Sequence, residues 1–157
     1  MMTVYLLALL IGIIAGLRAM TAPAMVCWAA HLGWLDLHGS WLAFLGNVWV
    51  RWILTLFALG ELVTDQLPST SSRTVPVQFG ARIVTGALSG SAIGAASGAM
   101  VGGGLAGIAG AIIGTLGGRA FRARLATAFG SDRPAALIED VVAIGGALLI
   151  GVALSRN

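Results

Sequence analysis

The chain has 157 residues, of which 58% are hydrophobic and 10% are charged, and its mean hydropathy is +0.95. Soluble domains carry about 25% charged residues, so this composition predicts an all-α protein that crosses a membrane several times. The net charge of +3 comes from nine arginines against six acidic residues, which are too few and too scattered to predict nucleic-acid binding. The single cysteine, Cys27, excludes an intramolecular disulfide framework, and no cysteine–histidine pair has zinc spacing. We therefore expect no metal site and no cofactor.

The first apolar segment covers about Thr3 to Leu17. At about 1.5 Å per residue it measures roughly 24 Å, which is short of the ~30 Å hydrocarbon core of a bilayer. The helix is then interrupted by a cluster that includes Gly16, Arg18, Thr21 and Pro23. Because a charge is costly in lipid, Arg18 should face protein or water, and broken backbone at this depth should line a cavity. The alternative is an interfacial arginine whose side chain reaches the lipid headgroups.

The stretch from Pro23 to Asn47 contains short apolar pieces separated by a turn, and it favours a half-helix or an interfacial segment, with a crossing span as the alternative. The second predicted span, Val48 to Leu67, begins with tryptophans around an arginine, as at a membrane interface, and Pro68 ends it. Glu61 and Asp65 are four residues apart and share one face of this helix. Carboxylates within a membrane segment usually pair with arginine or carry a proton or ion. The candidate partners are Arg18, Arg73, Arg82 and Arg119.

The third and fourth predicted spans form one small-residue region from Gly80 to Arg119, which we expect to turn back at Met100 to Gly104. Glycine recurs at every fourth position in both spans, so each helix has one smooth face. Smooth faces let helix backbones approach closely, and we read both as helix–helix seams, with a pore lining as the alternative. The expected packing residues are Gly86, Gly90, Gly94, Gly98, Gly110, Gly114 and Gly118.

A fifth predicted span begins near Ser131 and carries Asp140 about two turns from its start. The loop before it is rich in arginine, and the positive-inside rule therefore places this loop in the cytoplasm. With five spans, the N-terminus is then also cytoplasmic and the C-terminus lies outside. The arginines of this loop are Arg119, Arg122, Arg124 and Arg133.

The sequence around Arg18 has an echo around Arg119. "IGIIAGLRAMTA" aligns with "IIGTLGGRAFRA", and each is followed by a helix that carries a carboxylate, Asp65 in the first half and Asp140 in the second. In a five-span arrangement the matched segments run in opposite directions, as in an inverted-topology repeat. Convergence of small-residue composition is the alternative. The predicted organisation is a single integral membrane domain, 1–157, with half-repeats 1–67 and 105–157 joined by a helix at 80–99.

Two stretches, "GLRAMTAPA" and "ELVTDQLPSTSSRTVPVQFGARIVTGALSGSAIG", resemble a family of small bacterial inner-membrane proteins catalogued as domain of unknown function 4126. The resemblance covers nearly the whole chain. It implies a multi-pass protein of the bacterial inner (plasma) membrane. It supplies no activity, substrate or catalytic residue.

We predict a transporter or channel for a small solute or ion. Because five short spans enclose little volume, we expect a homodimer within the lipid bilayer. The alternatives are a structural or accessory subunit that packs through its glycine faces and, less favoured, a membrane enzyme acting on lipid-linked substrates. The chain has no nucleophile motif and no phosphate-binding loop, so we predict no catalytic residue, and we expect His31 and His38 at the interface. The residues expected near the pathway are Arg18, Glu61, Asp65, Arg119 and Asp140.

Overall fold

The computed structural model describes residues 1–65 and 75–156, and these residues form seven helices and no strand. The all-α prediction is therefore confirmed for the described part of the chain. The predicted end of the second span at Leu67 and Pro68, and the candidate partner Arg73, lie outside the described residues. The helices are α1 Met2–Leu17, α2 Thr21–His31, a 3₁₀ helix at Trp41–Gly46, α3 Val48–Thr64, α4 Pro76–Ala95, α5 Met100–Phe129 and α6 Asp132–Leu154.

Two of the described helices, α5 and α6, are long and apolar enough to cross a membrane. They have 30 and 23 residues, and the most apolar 18-residue windows have mean hydropathies of 1.6 and 2.1. The apolar helix α1 is shorter, at 16 residues. The length and composition of α5 and α6 suggest that the protein associates with a membrane.

Contacts along α1 and α5 show that these two helices run in the same direction. Gly102 near the start of α5 packs against the Tyr5 ring, and the Thr115 hydroxyl, further along α5, donates a hydrogen bond to the Gly16 carbonyl over 3.3 Å. Helix α6 runs the opposite way, because Gly146 packs against Ile14 and the earlier α6 residues lie beside the end of α1. Helix α4 is likewise antiparallel to α5.

Helix α2 returns the chain across the bundle, and α3 then runs back beside it. The Trp28 indole donates to the Thr55 hydroxyl over 3.1 Å, and the Ala19 amide, at the start of α2, meets Glu61 near the end of α3. Helices α1, α3 and α5 therefore point one way and α2, α4 and α6 return. We call the end that contains the α1–α2 turn and the α5–α6 turn the arginine end, and the end that contains Met1 the opposite end.

This topology differs from the sequence prediction in two respects. Because α2 crosses back where we expected no crossing, the N-terminus and the α5–α6 turn lie at different ends of the bundle. The inverted repeat required opposite directions for the segments around Arg18 and Arg119, whereas α1 and α5 are parallel. In addition, α5 remains helical through Arg119, so the second half contains no counterpart of the break at Arg18.

Glycine faces bring α1, α4 and α5 into backbone contact. A Cβ added at Gly90 would lie 2.4 Å from the Gly103 carbonyl oxygen on α5, and one at Gly114 would lie 2.2 Å from the Ile13 carbonyl oxygen on α1. These distances leave no room for a side chain, so α5 shares one close-packed seam with α1 and another with α4. The predicted packing residues found in direct backbone contact with the neighbouring helix or its first residues are Gly86, Gly90, Gly94, Gly110 and Gly114, and Gly118 is buried on α5.

The predicted packing role of Gly98 is wrong. Gly98 follows the end of α4 in the connection to α5, its φ is +70°, and a Cβ there would meet no atom within 4 Å. The chain turns at Ala96–Ala99, just before the predicted turn at Met100–Gly104, because glycine tolerates this left-handed backbone conformation. The glycines that we expected in the turn belong to α5, where Gly103 packs against α4.

Candidate functional site

The interruption after α1 is a tight turn at the arginine end. Helix α1 ends at Leu17, and Arg18 has an extended backbone with φ of −139°. Helix α2 starts at Thr21, and Pro23 lies in its first turn, where a missing N–H costs no helical hydrogen bond. Gly16 lets α1 approach α5, because a Cβ there would lie 2.5 Å from the Ala111 carbonyl oxygen. Of the residues that the sequence marked as a helix break, Arg18 lies in this turn, and Gly16, Thr21 and Pro23 lie in the helical turns on either side of it.

Arg18 is fully buried, and its guanidinium is ion-paired with two carboxylates. One is Asp65, which caps the C-terminus of α3, and the other is Asp140 on α6. Both carboxylate side chains are about one-tenth exposed. A buried guanidinium is very costly without a counter-charge, and an aspartate at a helix C-terminus is unfavourable by itself. The two carboxylates therefore offset the cost of burying the Arg18 guanidinium, and Arg18 offsets the unfavourable position of Asp65 at the helix C-terminus.

Two further side chains satisfy the backbone ends on either side of Arg18. The Glu61 carboxylate accepts hydrogen bonds from the Ala19 and Met20 amides, each over 2.8 Å. The Arg82 guanidinium donates to the Gly16 and Leu17 carbonyls over 2.6 and 2.7 Å. An anion thus lies at the start of α2 and a cation at the end of α1, which is the arrangement that the helix dipoles favour.

Arg122 on α5 links this cluster to the start of α6. Its Nε donates to the Asp132 carboxylate over 2.8 Å, and its Nη2 donates to the Asp65 carbonyl over 3.2 Å. Its Nη1 lies 3.7 Å from the carboxylate of Glu139, which is 1% exposed. The cluster therefore joins α3, α4, α5 and α6 to the turn between α1 and α2. We define the charge cluster as Arg18, Glu61, Asp65, Arg82, Arg122, Asp132, Glu139 and Asp140.

Four of the five charged residues that the sequence singled out are brought together in the charge cluster: Arg18, Glu61, Asp65 and Asp140. Arg119 is exposed on α5, and Arg122, about one turn later, makes the cluster contacts described above. Sequence reasoning treated Arg122 as a topology-setting charge and gave Glu139 no role. The sequence feature that could have identified Glu139 is the acidic pair that it forms with Asp140 inside an apolar helix.

A cavity of about 490 Å³ opens at the opposite end of the bundle. It lies between the start of α1, the residues after α2, and the ends of α4 and α6, and Thr3, Asp36 and Ser97 contribute polar groups to it. Its apolar lining includes Leu7 and Ile93. The cavity and the charge cluster therefore lie at the two ends of the helices α1 and α4.

One face of α4 connects the charge cluster with this cavity. Arg82, Thr85, Ser89 and Ile93 follow one another at intervals of three or four residues and so share this face. Ser89 is fully buried, and its hydroxyl has no hydrogen-bond partner among the described residues. At about 1.5 Å per residue, the polar part of this face extends roughly 10 Å, from Arg82 to Ser89, and Ile93 at the cavity follows about one turn later.

A protein-family model described as "Domain of unknown function (DUF4126)" matches residues 5–153, nearly the entire chain. A search of the curated proteins found no match. A search of the solved structures also found none.

Proposed function

We propose that this protein, which belongs to the DUF4126 family, carries a small solute or ion across the bacterial inner membrane. The description of the family names no activity. The observation that supports this proposal best is the fully buried Arg18, held between Asp65 and Asp140 at one end of the polar face of α4. Buried charges of this kind in membrane proteins mark substrate or ion pathways and their gates.

The helix lengths and the arginines support the proposed placement in the bilayer. Helices α5 and α6 are long enough to cross, and α1 and α3, with 16 and 17 residues, would cross a slightly thin hydrocarbon layer. Helix α2 has 11 residues, about 16 Å, and would complete its return with the residues after it. The positive-inside rule assigns the arginine end to the cytoplasm, so Met1 and the end of α6 would face outward. The homodimer stays a prediction.

The proposed path runs along the polar face of α4, between α1, α2 and α6. The glycine seams close the other side of α1 and α4, because no side chain fits between these helices and α5. The cavity would be the outer entrance, and the charge cluster would close the cytoplasmic end. Interrupted helix ends bind ions and substrates in many transporters. Here Glu61 and Arg82 occupy both ends, as expected for a closed state.

Cysteine accessibility tests the path without knowledge of the solute. In a Cys27→Ala background, Ser89→Cys places a thiol on the proposed path, and Thr115→Cys places one in the seam between α1 and α5. Both native hydroxyl residues are fully buried, so the pair is matched in burial. We expect a small charged thiol reagent added from the outside to modify Ser89→Cys and to leave Thr115→Cys unmodified. Equal protection of both thiols in folded protein would argue against a path along α4.

A flux assay tests the proposed gate. Asp140→Asn leaves Arg18 paired with Asp65, and Arg124→Gln removes an exposed charge from α5 as the control. The proteoliposomes are loaded with dyes for protons, potassium and chloride. We expect the wild type and Arg124→Gln to transport the same one of these ions at the same rate. We expect Asp140→Asn to change that flux at least about tenfold, since loss of a buried ionic contact of ~1.4 kcal/mol shifts an equilibrium tenfold. Equal flux in folded variants would contradict the gate.

A structural or accessory role is the second candidate. It is favoured by the balance of charges and hydrogen bonds within the charge cluster. Arg18 has two acidic partners, and Glu61 and Arg82 form hydrogen bonds with the backbone of the turn. For a purely structural subunit, Asp140→Asn would lower stability and leave the permeability of the liposomes at that of empty liposomes. The thiol at position 89 would then also be protected.

A further inference from the structure

Arg51, in the first turns of α3, is a buried cation outside the charge cluster. It is 7% exposed, and its Nε and Nη1 are buried without a hydrogen-bond partner among the described residues. The guanidinium carbon lies 4.5 Å from the centroid of the Trp28 ring and 5.5 Å from that of Trp52. Cation–π contact with these rings holds the guanidinium in place, but it supplies no hydrogen-bond acceptor for Nε and Nη1.

The described residues around Arg51 supply no counter-charge. The described acidic residues of the charge cluster lie at the arginine end, and Asp65 is about 21 Å away along α3 at ~1.5 Å per residue. The acid on the side of Arg51 is Asp36, which is exposed and accepts a hydrogen bond from the His38 amide over 2.9 Å. The N-terminus of α3 adds a partial positive charge close to Arg51. This region therefore favours an anionic ligand.

The neighbouring surface has the character of a membrane interface. Trp49 and Trp52 are 76% and 49% exposed beside Arg51, and exposed apolar residues such as Leu56 continue along the same helix. A cavity of about 430 Å³, lined in part by His31, His38 and Asn47, lies beside the start of α3. The Trp28 ring, which contacts Arg51, also contacts the His31 ring edge-on at 6.5 Å. The lining of this cavity reaches Asn47, about one helical turn before Arg51, and does not include Arg51 itself.

We infer that Arg51 binds the phosphate of an anionic lipid headgroup, with Trp28 and Trp52 fixing the guanidinium plane. A guanidinium presents parallel N–H donors that match two phosphate oxygens, and it is the preferred side chain for such recognition. Exposed tryptophans at headgroup depth would hold the lipid at the same level, and the polar cavity would accept the rest of the headgroup. This inference rests on the membrane placement proposed above and does not depend on transport.

The ligand chemistry, a phosphate oxyanion, could come from a lipid or from free phosphate, and binding in detergent separates the two. Because Trp28 and Trp52 contact Arg51, the intrinsic fluorescence of the protein reports occupancy. We would titrate the purified protein with phosphatidylglycerol, with phosphatidylcholine of the same acyl chains, and with inorganic phosphate. We expect phosphatidylglycerol to bind at least about tenfold more tightly than phosphatidylcholine, because the choline group places a second cation beside Arg51 and leaves the headgroup without net charge. Inorganic phosphate that binds as well as phosphatidylglycerol would overturn the lipid assignment.

Arg51→Met removes the fork and keeps an apolar stem against the tryptophans, and Arg156→Gln removes an exposed arginine near the same end as the control. We expect Arg51→Met to abolish the preference for phosphatidylglycerol and Arg156→Gln to retain it. If Arg51→Met does not fold, Arg51→Lys keeps the charge without the fork and should lower the preference several-fold. A preference that survives the loss of the fork, or is absent from the wild type, would overturn the inference. The titration uses no gradient, so its result is separate from that of the flux assay.

Discussion

Gly114→Ala should open the seam between α1 and α5, although it adds a single methyl group. The new Cβ would lie 2.2 Å from the Ile13 carbonyl oxygen, whereas ordinary contacts begin at 3.4 Å. Helix α1 would have to withdraw by about 1.2 Å, and a gap of ~1 Å already removes up to about half of the attraction between contacting atoms. The obstacle is backbone rather than a flexible side chain, so repacking cannot relieve it.

Gly117→Ala is the matched control, because Gly117 lies on the same helix and a Cβ there would meet no atom within 4 Å. Replacing an exposed helical glycine by alanine should stabilise the helix by up to about 1 kcal/mol. Overpacking at position 114 should cost about 1–3 kcal/mol, so the two variants should differ by about 1–4 kcal/mol in the free energy of unfolding.

The assay is equilibrium unfolding of both variants and the wild type in one detergent, followed by tryptophan fluorescence. The expected order of stability is Gly117→Ala, wild type and then Gly114→Ala. If Gly114→Ala is as stable as Gly117→Ala, the backbone contact between α1 and α5 is incorrect, and with it the reason for excluding a path through that seam.

Two more predictions concern the turns of the bundle. Glu61→Gln should lower the free energy of unfolding by about 1–3 kcal/mol, because a charged acceptor of two backbone amides is replaced by a neutral one. The exposed control Asp36→Asn should change the free energy of unfolding little in the same assay. Equal losses in the two variants would contradict the role of Glu61. Gly98→Ala should cost about 1–2 kcal/mol, because its φ of +70° disfavours a side chain. Gly80→Ala, at an open position in α4, should not destabilise the protein, and a stable Gly98→Ala variant would contradict the left-handed turn.

Most of the helices could be predicted from local sequence patterns. The apolar run that ends at Arg18 gave the end of α1, and the glycine spacing marked the faces along which α4 and α5 pack. These features could be predicted because helix periodicity and the absence of a side chain are properties of short segments. The turn after α4 was missed by a few residues, since Gly98 continues the glycine spacing although it lies outside the helix.

The composition of the candidate site was partly predictable. Charged residues are rare in this chain, so Arg18, Glu61, Asp65 and Asp140 stood out against an apolar background. Which arginine meets which carboxylate could not be derived, because the partners come from different helices and depend on the relative depth of each.

The sequence by itself determined that the chain is helical and rich in close-packing faces, and that its few charges demand partners. Only the tertiary structure decided the direction of α2, and this single crossing reversed the relation of the N-terminus to the arginine end. It also decided that Arg122 joins the charge cluster, and that Arg51 has no counter-charge among the described residues. The physical reason is that periodicity and hydropathy are local, whereas ion pairing and burial depend on how separate helices are aligned.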